Sequence, residues 1–124
     1  MEQANKALVL AMWAEVIDNH SEEAVMRYVS PDYIQHSTEI PDGRQGLLDG
    51  VRRLKNPPPG TPIHRKKTLV AAVAEGDLVT LTWTKETENP RNPGELITVN
   101  AFDMFRVKDG MVYEHWSDDG WPVR

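Results

Sequence analysis

A chain of 124 residues with 27% charged residues and a net charge of −5 reads as one globular domain, residues 1–124, large enough to bury a real core. The acidic balance argues against nucleic acid or an anionic membrane as a partner, and the lack of cysteine removes disulfides, thiolate metal sites and a thiol nucleophile. The longest apolar run, "ALVLAMWA", is far too short to span a bilayer and lacks the flanks of a secretory signal, so a cytoplasmic protein is the simplest expectation.

Along the chain, "ANKALVLAMWAEVIDNH" predicts a helix, with Leu8, Met12, Glu15 and Ile17 near helical spacing. Ser21 is placed to cap a second helix, "EEAVMRYV", with Glu22 and Glu23 complementing its dipole and Pro31 beyond its end. "DYIQH" reads as a short irregular or extended piece, and "PDG" as a turn. "RQGLLDGVRRLKN" is a third helix with Leu47, Leu48, Val51 and Leu54 as its apolar stripe. Two glycines weaken it and "PPPGTP" ends it. The second half is rich in β-branched and aromatic residues: "IHRKKTLVAAVAEG", "LVTLTWTKETE", "LITVNAFDMFRV" and "MVYEHWSD" predict four strands. Their connections are short enough for antiparallel neighbours. Helices first and a meander afterwards predict an α+β fold.

One position in the third of these strands breaks its pattern. Ile97, Val99, Ala101, Asp103, Phe105 and Val107 share a face, and only Asp103 is polar. What it faces depends on the "KDG" turn. A two-residue Asp-Gly turn sets Asp103 opposite Trp116 and brings Glu114 onto the same face. A three-residue loop, with Gly110 in the left-handed region, pairs Val107 with Met111 and sets Asp103 opposite His115. The second register leaves one carboxylate among the apolar groups and places Arg106 beside Glu114 on the other face, so it is the one expected. An Asp103–His115 pair could serve proton transfer or be a structural hydrogen bond.

"DYIQHS", "PDGRQGLL" and "FDMFRVKDGMVYEHW" resemble the SnoaL-like family of polyketide cyclases, within the nuclear-transport-factor-like superfamily that includes ketosteroid isomerase. The resemblance implies a cone: N-terminal helices packed on a strongly curved antiparallel sheet around an apolar pocket. It puts His36 at the pocket wall with Asp103 and His115. In the cyclases an aspartate two residues after this histidine is the acid/base of an aldol closure. Here Ser117 stands there, and Asp118 comes one residue late, pointing to the other face if the strand continues.

The expected function is cofactor-independent acid/base chemistry on a small hydrophobic carbonyl compound: aldol-type cyclisation, isomerisation or hydrolysis. The competing class is a non-catalytic binding module for a hydrophobic ligand. Asp103, a base or its orienter whose pKa an apolar pocket would raise and a charged His115 would pull back down, His115 as shuttle and His36 as donor are the expected catalytic residues. Tyr33, Trp13, Trp83, Phe105 and Ser117 are expected to contact the ligand. His20 reads as a cation at a helix end, and His64, in "HRKK", as solvated. A metal triad of His36, His115 and Asp103 is conceivable, but neither H-x-H nor H-E-x-x-H occurs, so no metal and no cofactor are expected. A homodimer through the open sheet face is the expected assembly.

Overall fold

The apolar spacing of the first half and the alternation of the second translate directly into elements in the computed structural model, which describes residues 1–38, 40–61 and 67–118. Helix α1 spans Glu2–Met12 and runs on as a π-helical segment, Trp13–Asp18. Ser21 caps α2 (Glu22–Tyr28), its hydroxyl accepting the Ala24 N–H at 3.1 Å. Strand β1 (Val29–Gln35) follows without a loop, and α3 spans Gly43–Lys55. The meander is β2 (Thr68–Glu75), β3 (Leu78–Glu88), β4 (Leu96–Lys108) and β5 (Met111–Ser117). His64 and the expected start of β2 lie outside the described residues.

The five strands lie in the order β1-β5-β4-β3-β2, an open mixed sheet. Neighbours within the meander are antiparallel, while β1 joins β5 in parallel. "DYIQH" is therefore the end of a true strand. Its register with β5 is irregular between Val29 and Ile34, the stretch that holds Pro31, which has no N–H for a ladder. One sheet face packs on the helices through Val9, Val16, Val25, Val79, Leu81 and Val112, all fully buried. The other face leaves Val70, Val73, Leu96 and Phe102 exposed. The two glycines in α3 have a packing role: a Cβ on Gly46 would lie 2.1 Å from the Pro41 carbonyl oxygen, and one on Gly50 would crowd Ile40. Among the described residues no helix is long and apolar enough to cross a membrane.

The β4–β5 register departs from both sequence expectations. Asp109 (φ 52°) and Gly110 (φ 72°) form a two-residue turn between Lys108 and Met111, in place of the three-residue loop. Two left-handed residues match the right-handed twist of the flanking strands, and Asp-Gly suits them. Val107 then pairs with Val112, but the next pair is Arg106 with Glu114, so Tyr113 is an extra residue in a bulge. Beyond the bulge Phe105 is opposite His115 and Asp103 is opposite Ser117. Asp103 and His115 thus share the inner face as diagonal neighbours, not as a directly opposed pair. The bulge puts His115 inside and Glu114 outside, which the turn alone would have reversed.

Candidate active site

Between the helices and the inner sheet face lies a cavity of about 670 Å³. Met12, Trp13, Ile17, Leu47 and Val51 line its helical side, and Tyr33, Gln35, Asp103, Phe105, His115 and Ser117 its sheet side. The π-helical turn begins at Trp13, whose ring meets Phe105 edge-on at 6.3 Å. Such widened turns often mark functional positions in helices.

The polar groups of the sheet side form one chain of hydrogen bonds. Lys67 Nζ donates to Asp103 Oδ2 at 3.0 Å, and Asp103 Oδ1 is 2.8 Å from His115 Nε2. His115 Nδ1 is 2.7 Å from Gln35 Oε1, which also accepts the Ser37 N–H at 3.0 Å. Gln35 Nε2 donates to the Tyr33 hydroxyl at 2.8 Å. Both ring nitrogens of His115 therefore contact oxygen atoms, and the ring is held in place from both sides. Phe105 stacks on that ring at 4.5 Å, and Lys67 lies 5.0 Å from the centre of the Trp13 ring.

Electrostatics decide between the two opposing influences expected on Asp103. Burial, the largest influence on Asp103, pushes its pKa up, but the His115 hydrogen bond and the Lys67 charge together outweigh it. The carboxyl is held below its ordinary value, not above it. Burial pushes the Tyr33 phenol far above its usual range despite the Gln35 hydrogen bond, so it stays a neutral hydroxyl. That hydroxyl accepts from Gln35, and its own proton has no acceptor among the described residues.

The expected site residues divide accordingly. Asp103, His115, Tyr33, Trp13, Phe105 and Ser117 meet at the cavity. Trp83 does not line it; its ring is buried behind Trp13, 4.7 Å between centroids. His36 is on the opposite face, where it contacts Glu114 at 2.7 Å and stacks on Trp116 at 4.9 Å. A triad of His36, His115 and Asp103 therefore does not converge. The cause is strand alternation carried one residue past the end of β1: Tyr33 and Gln35 share one face, and Ile34 and the following His36 the other. Asp118 also lines the cavity, because β5 stops at Ser117 and the residue after it escapes the alternation. His20, left-handed at φ 56°, reaches the lining too.

Gln35 and Lys67 were missed by sequence reasoning. Gln35 was legible, since reading "DYIQH" as a strand selects it over His36. Lys67 was not, because "HRKK" carries charge without periodicity.

The SnoaL-like domain pattern matches residues 9–115. The chain belongs to that family. No curated protein matches it in sequence. Among solved structures, the proposed SnoaL-like polyketide cyclase of Jannaschia sp. CCS1 superposes with a TM-score of 0.68 at 19% identity, over 98% of this chain and 96% of that one. The proposed polyketide cyclase of Acidithiobacillus ferrooxidans gives 0.68 at 20% identity, over 92% and 86%. TsrD of Streptomyces laurentii gives 0.67 at 18%, over 95% and 90%. At these identities the likeness establishes the SnoaL-like fold.

Proposed function

We propose that this SnoaL-like protein catalyses a cofactor-independent acid/base reaction of the cyclase type on a small hydrophobic carbonyl compound. The observation that carries the reading is a buried carboxylate, Asp103, held between His115 and Lys67 on the wall of a largely apolar cavity. The solved relatives described as polyketide cyclases support the same class.

Asp103 is the base. It removes a proton from the carbon next to a carbonyl; the C–H electron pair becomes the C=C bond of an enolate, and the carbonyl oxygen takes the charge. The Tyr33 hydroxyl donates a hydrogen bond to that oxygen. The enolate carbon then attacks a second carbonyl of the same molecule, a C–C bond forms, and the new alkoxide recovers the proton from Asp103. No co-reactant is needed. A carboxylate with a depressed pKa is always in its basic form at neutral pH but is a weak base, so stabilising the enolate must supply much of the rate. His115 has both nitrogens engaged within the wall, and its role is to orient Asp103 and hold it charged, not to shuttle the proton.

That same depressed pKa favours a second reading. An ionised, doubly paired Asp103, with Ser117 where the cyclases carry their aspartate, also suits a module that binds a hydrophobic ligand without turning it over. Dissociation constants and product formation, measured for wild type and Asp103→Asn across hydrophobic ketones, esters and epoxides, separate the two. Turnover that falls while affinity holds identifies the enzyme; binding without turnover of any bound compound identifies the binder. We also infer a homodimer through the outer sheet face, supported by exposed Val73 and Phe102 and checked by sedentation equilibrium in an analytical ultracentrifuge.

A further inference from the structure

The charged side chains that line the cavity do not balance. At its buried end Lys67 and Asp103 pair at 3.0 Å, one cation with one carboxylate. Asp103 is 3% exposed and the Lys67 side chain 16%, so water screens little of this end. Cations facing a largely apolar cavity are stabilised by a counter-charge, and the space beside Lys67 is where an anion would sit.

The rest of the lining points the same way. Arg53 and Lys85 add two cations, and Asp118 adds one further carboxylate. Neither Arg53 nor Lys85 is ion-paired among the described residues. With the histidines left aside, the charged lining is Arg53, Lys67 and Lys85 against Asp103 and Asp118, in a chain whose overall charge is −5. The basic groups are gathered inside an acidic protein. Lys67 is the best placed of them: one of its three N–H bonds goes to Asp103 and the Trp13 ring lies alongside, which leaves donors for the cavity.

We propose that the cavity takes a hydrophobic organic anion, a planar carboxylate or enolate, with its charged oxygen on the Lys67 ammonium and its apolar body against Trp13 and Phe105. The inference rests on the cavity being the ligand site, as the proposed function also requires, but it concerns the charge of the ligand and not its turnover.

The test is a matched pair of probes, 2-naphthoate and 2-naphthamide, titrated by calorimetry at neutral pH. They share one ring system and differ in charge. On wild type the carboxylate binds at least about tenfold more tightly than the amide, the scale of a charge-assisted hydrogen bond in a partly desolvated site. Lys67→Met brings the two within about twofold, and Lys67→Arg keeps the preference. Lys85→Gln, further along β3, lowers the preference without abolishing it and serves if Lys67→Met does not fold. Equal binding of the two probes to wild type, a preference for the amide, or no binding of either at millimolar concentration overturns the proposal. So does a Lys67→Met protein that keeps the full preference. A wild type that selects the anion yet turns over no substrate leaves this inference standing and removes the catalytic one.

Discussion

Strands β4 and β5 carry two versions of one chemistry on their two faces. Inside, His115, Asp103 and Lys67 form a histidine–carboxylate–cation cluster. Outside, His36, Glu114 and Arg106 form another, with His36 Nε2 2.7 Å and Arg106 Nε 3.0 Å from the Glu114 carboxylate. In both, hydrogen bonds and neighbouring cations hold the carboxyl below its ordinary value. What differs is the setting. The inner cluster borders a cavity and is largely shut off from water, whereas the His36 side chain is 42% exposed and Arg106 is shared with Asp77. Residue types alone would nominate either cluster; burial and an adjoining space for a ligand select the inner one.

The widest separation between the two faces is expected in turnover. Asp103→Asn should reduce the rate on a true substrate by about two to four orders of magnitude, the usual contribution of a positioned base. Glu114→Gln, the same change one strand away, should leave the rate within about threefold, since it touches nothing at the cavity. Comparable losses in steady-state assays of the two variants would erase the distinction.

Stability should separate them next. Lys67→Met leaves the buried Asp103 carboxylate short of a partner and should cost about 3 kcal/mol in urea unfolding. Arg106→Ala breaks partly exposed pairs and should cost under about 1 kcal/mol. Adding Asp103→Asn to Lys67→Met should recover part of the loss, because the stranded charge is gone. A Lys67→Met protein as stable as wild type would mean that water reaches Asp103 freely.

Acid unfolding reads the same difference on a smaller scale. Asp103 has a depressed folded pKa, so its contribution is full above its unfolded value of about 4 and is lost as pH falls through the folded one. Asp103→Asn should therefore flatten the decline in stability below about pH 4. Glu114 acts in the same direction, but its pairs are closer to solvent, and Glu114→Gln should flatten the decline less. A larger effect from Glu114→Gln would reverse the ranking of the faces.

How far this contrast could be read in advance depended on periodicity. Alternation in "NAFDMFRV" identified the face of Asp103 without any structure, and helical spacing found all three helices. The strand pairing was harder. The Asp-Gly turn and the bulge at Tyr113 each shift the register by one, and together they restore the face that a three-residue loop would have given. The Asp103–His115 contact was thus anticipated through a register that does not occur. His36 was misplaced because its position came from the family resemblance, with "DYIQH" read as an irregular or extended piece and not as an alternating strand; its pairing with β5 comes from far along the chain and leaves no local trace. For the Asp103 pKa, the opposing influences of burial and His115 were legible, but Lys67, which adds to the downward pull, meets it across 36 positions.

The smallest effect expected is the most direct check on the two faces. His36→Gln removes a ring that stacks on Trp116 and meets Glu114, both outside the cavity. Arg106 still holds Glu114 at 3.0 Å, so no carboxylate is stranded. The stability cost should be under about 0.5 kcal/mol, in the range of half-exposed ion pairs, and turnover and affinity should be unchanged within error. The matching change on the inner face, His115→Gln, removes the partner that orients and charges Asp103, and should lower turnover by about tenfold or more. The two histidines contact carboxylates at nearly equal distances, 2.7 and 2.8 Å, so bond length cannot explain unequal outcomes. If the two substitutions cost the same turnover, position relative to the cavity has no bearing on the chemistry, and the assignment of the active face fails with it.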